Sequence, residues 1–170
     1  MQRPARRPFV ILLCVLCVVA LAGPTVAANK VGAQAPAIRI SDGINGVTAK
    51  TKISDYKGSV TLFVIWLPIC PHCKKFMPTV GALHKKYASK GLKVLTVTHG
   101  KKDYTAKYLR DRKWSFGVGF DYTGVTAKRY GMKRMPGVYL LGKDNKLRSY
   151  RGSLEQAIKD ELAAGKKKTK

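Results

Sequence analysis

The sequence predicts an α/β fold in which a central mixed sheet is flanked by helices. A run of β-branched and aromatic residues at 60–67 is followed by a helical pattern at 71–89 and by a second apolar run at 92–98. Continuous apolar runs of this length are typical of strands covered on both faces. Strand, helix and strand in this order predict a right-handed βαβ unit. We therefore expect the first run to lie at the centre of the sheet.

The helix at 71–89 is predicted from its apolar residues, which follow one another at steps of four, three and four. They are Phe76, Val80, Leu83 and Tyr87. This spacing places them on one face of a helix. Pro78 lacks a backbone N–H and should kink the helix, and Gly91 provides the signal that ends it.

Shorter elements complete the predicted domain. Helices are expected at 101–113, at 125–130 and from Ser153 as N-cap to near Gly165, and strands at 117–120, 138–141 and 147–151. The runs 37–40 and 47–53 predict an N-terminal β-hairpin, because the residues between them favour turns. Those turn residues are Asp42, Gly43, Asn45 and Gly46.

The N-terminus carries the three parts of a secretory signal peptide. Three arginines among the first seven residues precede an apolar run at 9–22, and small residues follow up to Ala28. This arrangement is typical of cleaved signals. We expect residues 1–27 to direct the domain to the periplasm or another extracytoplasmic compartment. With slight extension, an uncleaved form would be long enough to act as a membrane anchor.

The rest of the chain is organised as a linker at 28–35, one domain at 36–164 and a basic tail at 165–170. The chain has 33 basic and 9 acidic residues, a formal net charge of +24. Such a charge favours anionic partners, but the basic residues are scattered as on a solvated surface. Export argues against nucleic acid as the partner. Binding to an anionic surface stays open as an alternative, and we expect a monomer.

Only two of the four cysteines belong to the predicted mature domain. Cys14 and Cys17 lie in the apolar N-terminal run, whereas Cys70 and Cys73 follow the first predicted strand. A disulfide across two intervening residues stabilises little, because closing so small a loop removes little chain entropy. The pair is therefore better explained by redox or metal chemistry than by a structural disulfide.

The CPHC motif stands where a buried strand ends and a helix begins, which is the context of a redox site. Unpaired N–H groups at a helix N-terminus stabilise a thiolate. Pro71 starts the helix without losing a hydrogen bond. We predict that Cys70 is the nucleophile and that Cys73 resolves the mixed disulfide. His72 adds a hydrogen bond or a positive charge near the Cys70 sulfur, and the site should be poised toward oxidation.

Further residues carry a family resemblance. Trp66 ends the first strand, the CPHC motif follows, Pro78 interrupts the helix, and Met135–Pro136 precede a strand. From about residue 34 to residue 162 the chain resembles the TlpA/ResA-like exported thioredoxins, which are thioredoxin-superfamily proteins related to AhpC/TSA redoxins. The resemblance implies a thioredoxin-like fold and a thiol-disulfide oxidoreductase.

The resemblance also implies partners and site residues. The substrates would be protein thiols or disulfides, a redox partner protein would exchange electrons, and no cofactor or metal would be needed beyond a Cys70–Cys73 disulfide. Pro136 would follow a cis peptide bond and face the disulfide. Substrate binding would involve Trp66, Pro71 and the backbone of Met135.

Three positions depart from the family pattern. Ile69 replaces an aromatic residue before the first cysteine, Val64 replaces a buried acid, and Phe76 replaces a glutamate. A buried carboxylate can take the proton from the resolving thiol. Without it, water, His72 or the partner has to relay that proton. The net direction stays open, because reduction fits the family whereas oxidation fits the dipeptide between the cysteines.

Two other functions stay open as alternatives. Both thiolates with His99 or His72 would suit Cu(I) in a metal-assembly protein, although such relatives space their cysteines by three residues. A thiol peroxidase would carry a threonine three residues before Cys70, where this chain has Leu67. His84 is expected to be a partly exposed surface histidine.

Overall fold

A mixed sheet is the centre of the structure, a computed structural model that describes residues 30–150 and 152–164. The strands are β1 (Asp42–Ile44), β2 (Val60–Trp66), β3 (Leu92–Thr98), β4 (Gly117–Phe120), β5 (Gly137–Leu141) and β6 (Leu147–Arg148). Their order across the sheet is β1-β4-β3-β2-β5-β6. The predicted signal peptide and basic tail lie outside the described residues. Within the described ranges, no helix is long and apolar enough to span a membrane.

Helices cover both faces of this sheet. The α-helices are α1 (Pro71–Tyr87), α2 (Lys102–Arg110), α3 (Val125–Arg129) and α4 (Leu154–Ala164), and short 3-10 helices occupy Ile53–Tyr56 and Ala88–Lys90. Gly91 follows the second 3-10 helix with φ of 99°, the left-handed conformation that favours glycine. Ser153 caps α4, because its hydroxyl accepts the N–H of Gln156 at 3.2 Å. The predicted stop signal at Gly91 and the predicted N-cap at Ser153 are both confirmed.

β2 is the central strand, as its composition predicts. It pairs in parallel with β3 and antiparallel with β5, and all seven of its residues are buried. Its side chains alternate between two cores. The α1-side core contains Val64, Trp66 and residues of α1, α2 and α4. The α3-side core contains Phe63 and Ile65 with residues that follow α3.

The predicted N-terminal hairpin is wrong. Asp42 and Gly43, assigned to its turn, belong to β1, which pairs antiparallel with β4 at one edge of the sheet, whereas Asn45 and Gly46 form the turn that follows β1. Ile40 and Val47, assigned to the two hairpin strands, are buried instead against Gly119 and Gly117 of β4, where a side chain on either glycine would overlap them. The segment packs on β4 because those glycines leave room for apolar side chains.

Gly81 permits the close packing of α1 against Trp114, and this contact can be tested. A Cβ atom at this buried position would overlap the indole of Trp114, whose ring lies against Tyr108 and Phe116. Helix propensity alone makes Gly→Ala stabilising by about 1 kcal/mol. We expect Gly81→Ala to lower the free energy of unfolding by about 1–2 kcal/mol because overpacking outweighs that gain.

Urea denaturation measures the difference. Thr79→Ala, at an exposed position of the same helix, is the control and should change stability by no more than about 0.5 kcal/mol. A higher denaturation midpoint for Gly81→Ala would contradict the packing argument.

Candidate active site

Cys70 is the N-cap residue of α1. Its backbone is extended, with φ of −72° and ψ of 124°, and Pro71 occupies the start of the helix. The Cys70 carbonyl accepts the N–H of Lys74 at 2.9 Å, and the Cys70 N–H donates to the carbonyl of Leu67 at 3.1 Å. The side chain is half-buried. The nucleophile predicted from the sequence is therefore accessible at the end of a helix.

Cys73 lies one helical turn further on and is fully buried in the α1-side core. Both cysteines are free thiols, and their side chains are hydrogen-bonded to each other. A pair with one sulfur partly exposed and the other buried has the arrangement that disulfide exchange requires, since the first meets the substrate and the second attacks from inside.

The two sulfurs differ in acidity. The backbone N–H of Cys73 lowers the pKa of Cys70, the hydrogen bond from the Cys73 side chain lowers it further, and the N–H of His72 adds a smaller contribution. Burial raises the pKa of Cys73 to about 11. Near neutral pH, Cys70 is therefore the thiol that ionises first.

His72 contributes to the site through its backbone. Its side chain is exposed on the first turn of α1, and its N–H is among the donors to Cys70. A hydrogen bond from the His72 imidazole to the Cys70 sulfur was predicted as one possibility. It is not formed in the described part of the chain, which includes both residues. The imidazole points outward because Cys73, one position later, takes the buried side of the helix.

Pro136 follows a cis peptide bond, as the resemblance implies. It directly precedes β5, whose first residue, Gly137, pairs with Ile65 near the C-terminal end of β2. Since β5 runs antiparallel to β2, the Met135–Pro136 pair lies at the sheet edge from which the Cys70 loop leaves. Met135 is half-buried, and both Met135 and Cys70 pack against the α1-side core.

Trp66, for which a part in substrate binding was expected, is enclosed by the protein. Its side chain is 0% exposed, and its ring packs against that of Tyr108 with 5.6 Å between centroids. Strand alternation points Trp66, like Val64, into the α1-side core. Trp66 therefore supports the site from beneath. Pro71 and Ile69 are exposed beside Cys70 and are free to meet a partner.

An apolar groove beside Cys70 was missed at the sequence level. The Ile69 groove, as we call it, has a volume of about 360 Å³ and is lined by Leu67, Pro68, Ile69, His99, Gly100, Lys101 and Tyr104. Ile69 is 67% exposed. A Cβ atom on Gly100 would lie 2.9 Å from the Pro68 ring, so glycine allows the two loops to meet. A groove is expected where two neighbouring parallel strands end at the same level, as β2 and β3 do, so this one could have been predicted.

The alternatives gain little from the structure. The copper alternative combined both thiolates with a histidine, and residues 30–150 and 152–164 bring no three His, Cys, Asp or Glu side chains together for a metal. Leu67 is half-buried and carries no hydroxyl where a peroxidase would place its threonine. His84 is half-buried and packs edge-on against Phe116, which agrees with the expectation of a partly exposed histidine.

Comparison with known proteins agrees with this geometry. Residues 31–150 match the model of the AhpC/TSA family. The thiol-disulfide oxidoreductase ResA of Bacillus thuringiensis subsp. konkukian is 29% identical over 119 residues, which cover 69% of this chain and 67% of the relative. ResA of Geobacillus thermodenitrificans is 26% identical over 156 residues, 86% of each chain.

Solved structures share the fold. A putative thiol:disulfide interchange protein DsbE from Chlorobium tepidum superposes with a TM-score of 0.66 at 29% identity, covering 81% of this chain and 99% of that one. The thioredoxin domain of a thiol-disulfide oxidoreductase from Bacteroides vulgatus gives a TM-score of 0.64 at 20% identity, with coverages of 83% and 98%. The thioredoxin-like α/β fold predicted from the sequence is thus confirmed.

The unequal acidity of the two thiols predicts an ordered pH profile of alkylation. The iodoacetamide reaction of Cys70 should rise with pH through a midpoint below the ordinary thiol value of about 8.5, because helix N–H groups stabilise its thiolate. Cys73 should stay unreacted below about pH 9, since it is buried and its pKa is raised. Mass spectrometry of digested protein locates the label, and modification of Cys73 before Cys70 would refute the assignment.

Proposed function

This chain belongs to the AhpC/TSA family and is a thiol-disulfide oxidoreductase, and we propose that it exchanges disulfides with protein substrates outside the cytoplasm through Cys70 and Cys73. The observation that carries the proposal is the pairing of an accessible, acidified thiol at a helix start with a buried thiol one turn away. The cis Met135–Pro136 bond at the same sheet edge supports it.

The exchange proceeds in two thiolate attacks. The Cys70 thiolate attacks a substrate disulfide, forms a mixed disulfide and releases one substrate thiolate, which takes a proton from water. Cys73 then loses its proton and attacks the Cys70 sulfur, so that the Cys70–Cys73 disulfide forms and the second substrate thiolate leaves. Two electrons have passed from the protein to the substrate. The reverse sequence oxidises a substrate dithiol.

The environment of Cys70 influences the equilibrium between these directions. Stabilisation of its thiolate favours the dithiol form and makes the disulfide a stronger oxidant than one between ordinary thiols. This supports the expectation of a site poised toward oxidation. The redox partner protein that restores the starting form sets the net direction.

Substrate binding is proposed on both sides of Cys70. On one side, the backbone of Met135 would pair with an extended substrate segment, in the manner of strand addition. On the other side, the Ile69 groove would receive an apolar side chain next to the substrate cysteine. The groove is largely apolar, and Lys101 adds a positive charge to its lining. Protein segments with exposed apolar residues fit this surface.

Export is proposed from the N-terminal pattern of arginines, apolar run and small residues. Disulfide chemistry on folding proteins is favoured outside the cytoplasm, where disulfides persist. The net charge of +24 adds attraction to acidic partners or anionic surfaces. We propose that this attraction assists encounter with substrates and does not replace the thiol chemistry.

Single cysteine replacements test the proposed roles. Cys73→Ser should accumulate mixed disulfides with substrate proteins, because Cys70 still attacks but nothing resolves the product. Cys70→Ser should form none and lower exchange activity by about a thousandfold or more. Non-reducing gels and insulin reduction measure the two outcomes. The proposal fails if the variant lacking both thiols keeps the activity of the unmodified protein.

The Ile69 groove is tested by removing its most exposed apolar side chain. Ile69→Ser should raise the KM for a protein substrate about five- to tenfold, because about 1–1.4 kcal/mol of apolar contact is lost. The rate with a small disulfide should not change. Val31→Ser is the matched control, since Val31 is 65% exposed and precedes Gly32, whose N–H donates to the carbonyl of Leu147 in β6, outside the groove lining. Equal KM values for the Ile69→Ser and unmodified proteins would exclude the groove from substrate binding.

A further inference from the structure

Tyr108 is held tightly through its ring but not through its hydroxyl. It lies on α2, is 6% exposed, and packs its ring against Trp66. The guanidinium of Arg112 stands over the ring at 3.6 Å from the centroid. The hydroxyl is buried and has no hydrogen-bond partner in the described part of the chain. A buried polar group without a partner is uncommon and calls for an explanation.

Tyr108 packs in the core that encloses Cys73, and no hydrogen bond joins its hydroxyl to the Cys73 sulfur in the dithiol form that the structure describes. Tyr108 and Cys73 are members of the same α1-side core. Tyr108 also lines a groove between α1 and α2 together with Lys74, the residue after Cys73. Burial raises the pKa of Tyr108, and negative charge on Cys73 contributes to the rise. The phenol thus stays protonated at neutral pH and lies within electrostatic range of the resolving sulfur.

The resolving sulfur lies among apolar side chains. Val64 and Phe76 pack in the same core as Cys73 and offer it no hydrogen bond. Burial raises the pKa of Cys73, so little of this thiol is ionised at neutral pH. A group that hydrogen-bonds to the Cys73 thiolate increases the ionised fraction by more than it weakens the nucleophile, and so favours resolution.

We propose that the Tyr108 hydroxyl donates a hydrogen bond to the Cys73 thiolate as that thiolate attacks the mixed disulfide. This proposal rests on the proposed function. The Cys73 proton passes to water, the bond between Cys70 and Cys73 forms, and the bond from Cys70 to the substrate breaks. The departing substrate thiolate takes up a proton. In the reverse direction the same hydrogen bond stabilises Cys73 as the leaving group.

The other charged and titratable groups around this pair leave the role to Tyr108. On α1 they are Cys70, already bonded to Cys73, and Lys74, which is exposed. On α2 and the turn after it they are Tyr104, Lys107, Asp111 and Arg112. Arg112 covers the ring of Tyr108 and donates to the Tyr108 carbonyl at 3.2 Å. From β2, the buried Trp66 indole N–H also has no partner among the described residues and is a second, weaker donor.

Tyr108→Phe tests the proposal, because it removes the oxygen and keeps the ring. The reduced protein is mixed with a chromogenic aromatic disulfide, which releases one coloured thiolate when Cys70 attacks and a second when Cys73 resolves. The first phase should be unchanged. The second should slow about tenfold or more, as expected for losing a hydrogen bond to a charged group, and its pH profile should shift upward by about one unit.

Tyr139→Phe is the matched control. Tyr139 packs against the α3-side core, on the opposite face of the sheet, and its hydroxyl donates to the Tyr130 carbonyl at 3.2 Å. This variant loses a hydrogen bond and some stability, yet both phases should keep their rates. Thermal unfolding of both variants shows whether loss of stability accompanies any change in rate.

The outcomes separate the two proposals. A second phase with unchanged rate and unchanged pH profile in Tyr108→Phe, beside an intact first phase, overturns the role of Tyr108 and leaves the proposed function standing. Absence of the first phase in the unmodified protein refutes the proposed function itself. Slowing of the second phase by Tyr139→Phe to the same extent would also overturn the role of Tyr108, because it would trace the effect to stability.

Discussion

The structure depends on the junction between β2 and α1. β2 is buried along its whole length and paired on both sides, so its C-terminal end is a fixed point of the fold. Pro71 begins the helix five residues later, and the N–H groups of the first turn point toward the Cys70 sulfur. A helix start on a mobile loop would exert the same field but would not hold the thiol beside its partner. Rigidity of the strand is therefore part of the chemistry.

Around this junction the protein separates exposed chemistry from buried chemistry. Cys70, Ile69 and Pro71 stand at the surface, where a substrate can reach them, whereas Cys73 is enclosed with Trp66. The enclosure raises the pKa of Cys73 and so slows its attack. Its benefit is selectivity, because a buried thiol reacts with the sulfur one turn away before it meets any other molecule.

Much of this arrangement follows from local sequence patterns. β2, α1 and β3 were predicted nearly to their ends, because long apolar runs and a regular helical spacing are strong signals. The CPHC motif located the thiols, whereas the cis bond before Pro136 was implied by the family resemblance. The burial of Trp66 could also have been predicted from the sequence. Trp66 lies two positions after Val64 in the same strand, so both side chains point to the α1-side face of the sheet. That signal was outweighed by the family resemblance.

The errors and omissions involve partners that are distant along the chain. Ile40 and Val47 pack on glycines of β4, and no pattern near residue 40 reveals a flat strand some 75 positions later. The proximity of Tyr108 to Cys73 likewise depends on how α2 packs against β2 and α1. Local propensity cannot specify such contacts, because they are chosen by tertiary packing.

The short strands at the two edges of the sheet have a consequence for contacts with other protein chains. β1 has three residues and β6 only two, and each carries a charged side chain held in an ion pair, Asp42 with Lys102 and Arg148 with Glu161. Long unpaired edge strands would offer backbone N–H and C=O groups to other chains and would promote aggregation. Because both edge strands are short and carry ion-paired charges, strand pairing with another chain is disfavoured at both edges. A segment of another protein is then free to approach the thiols instead.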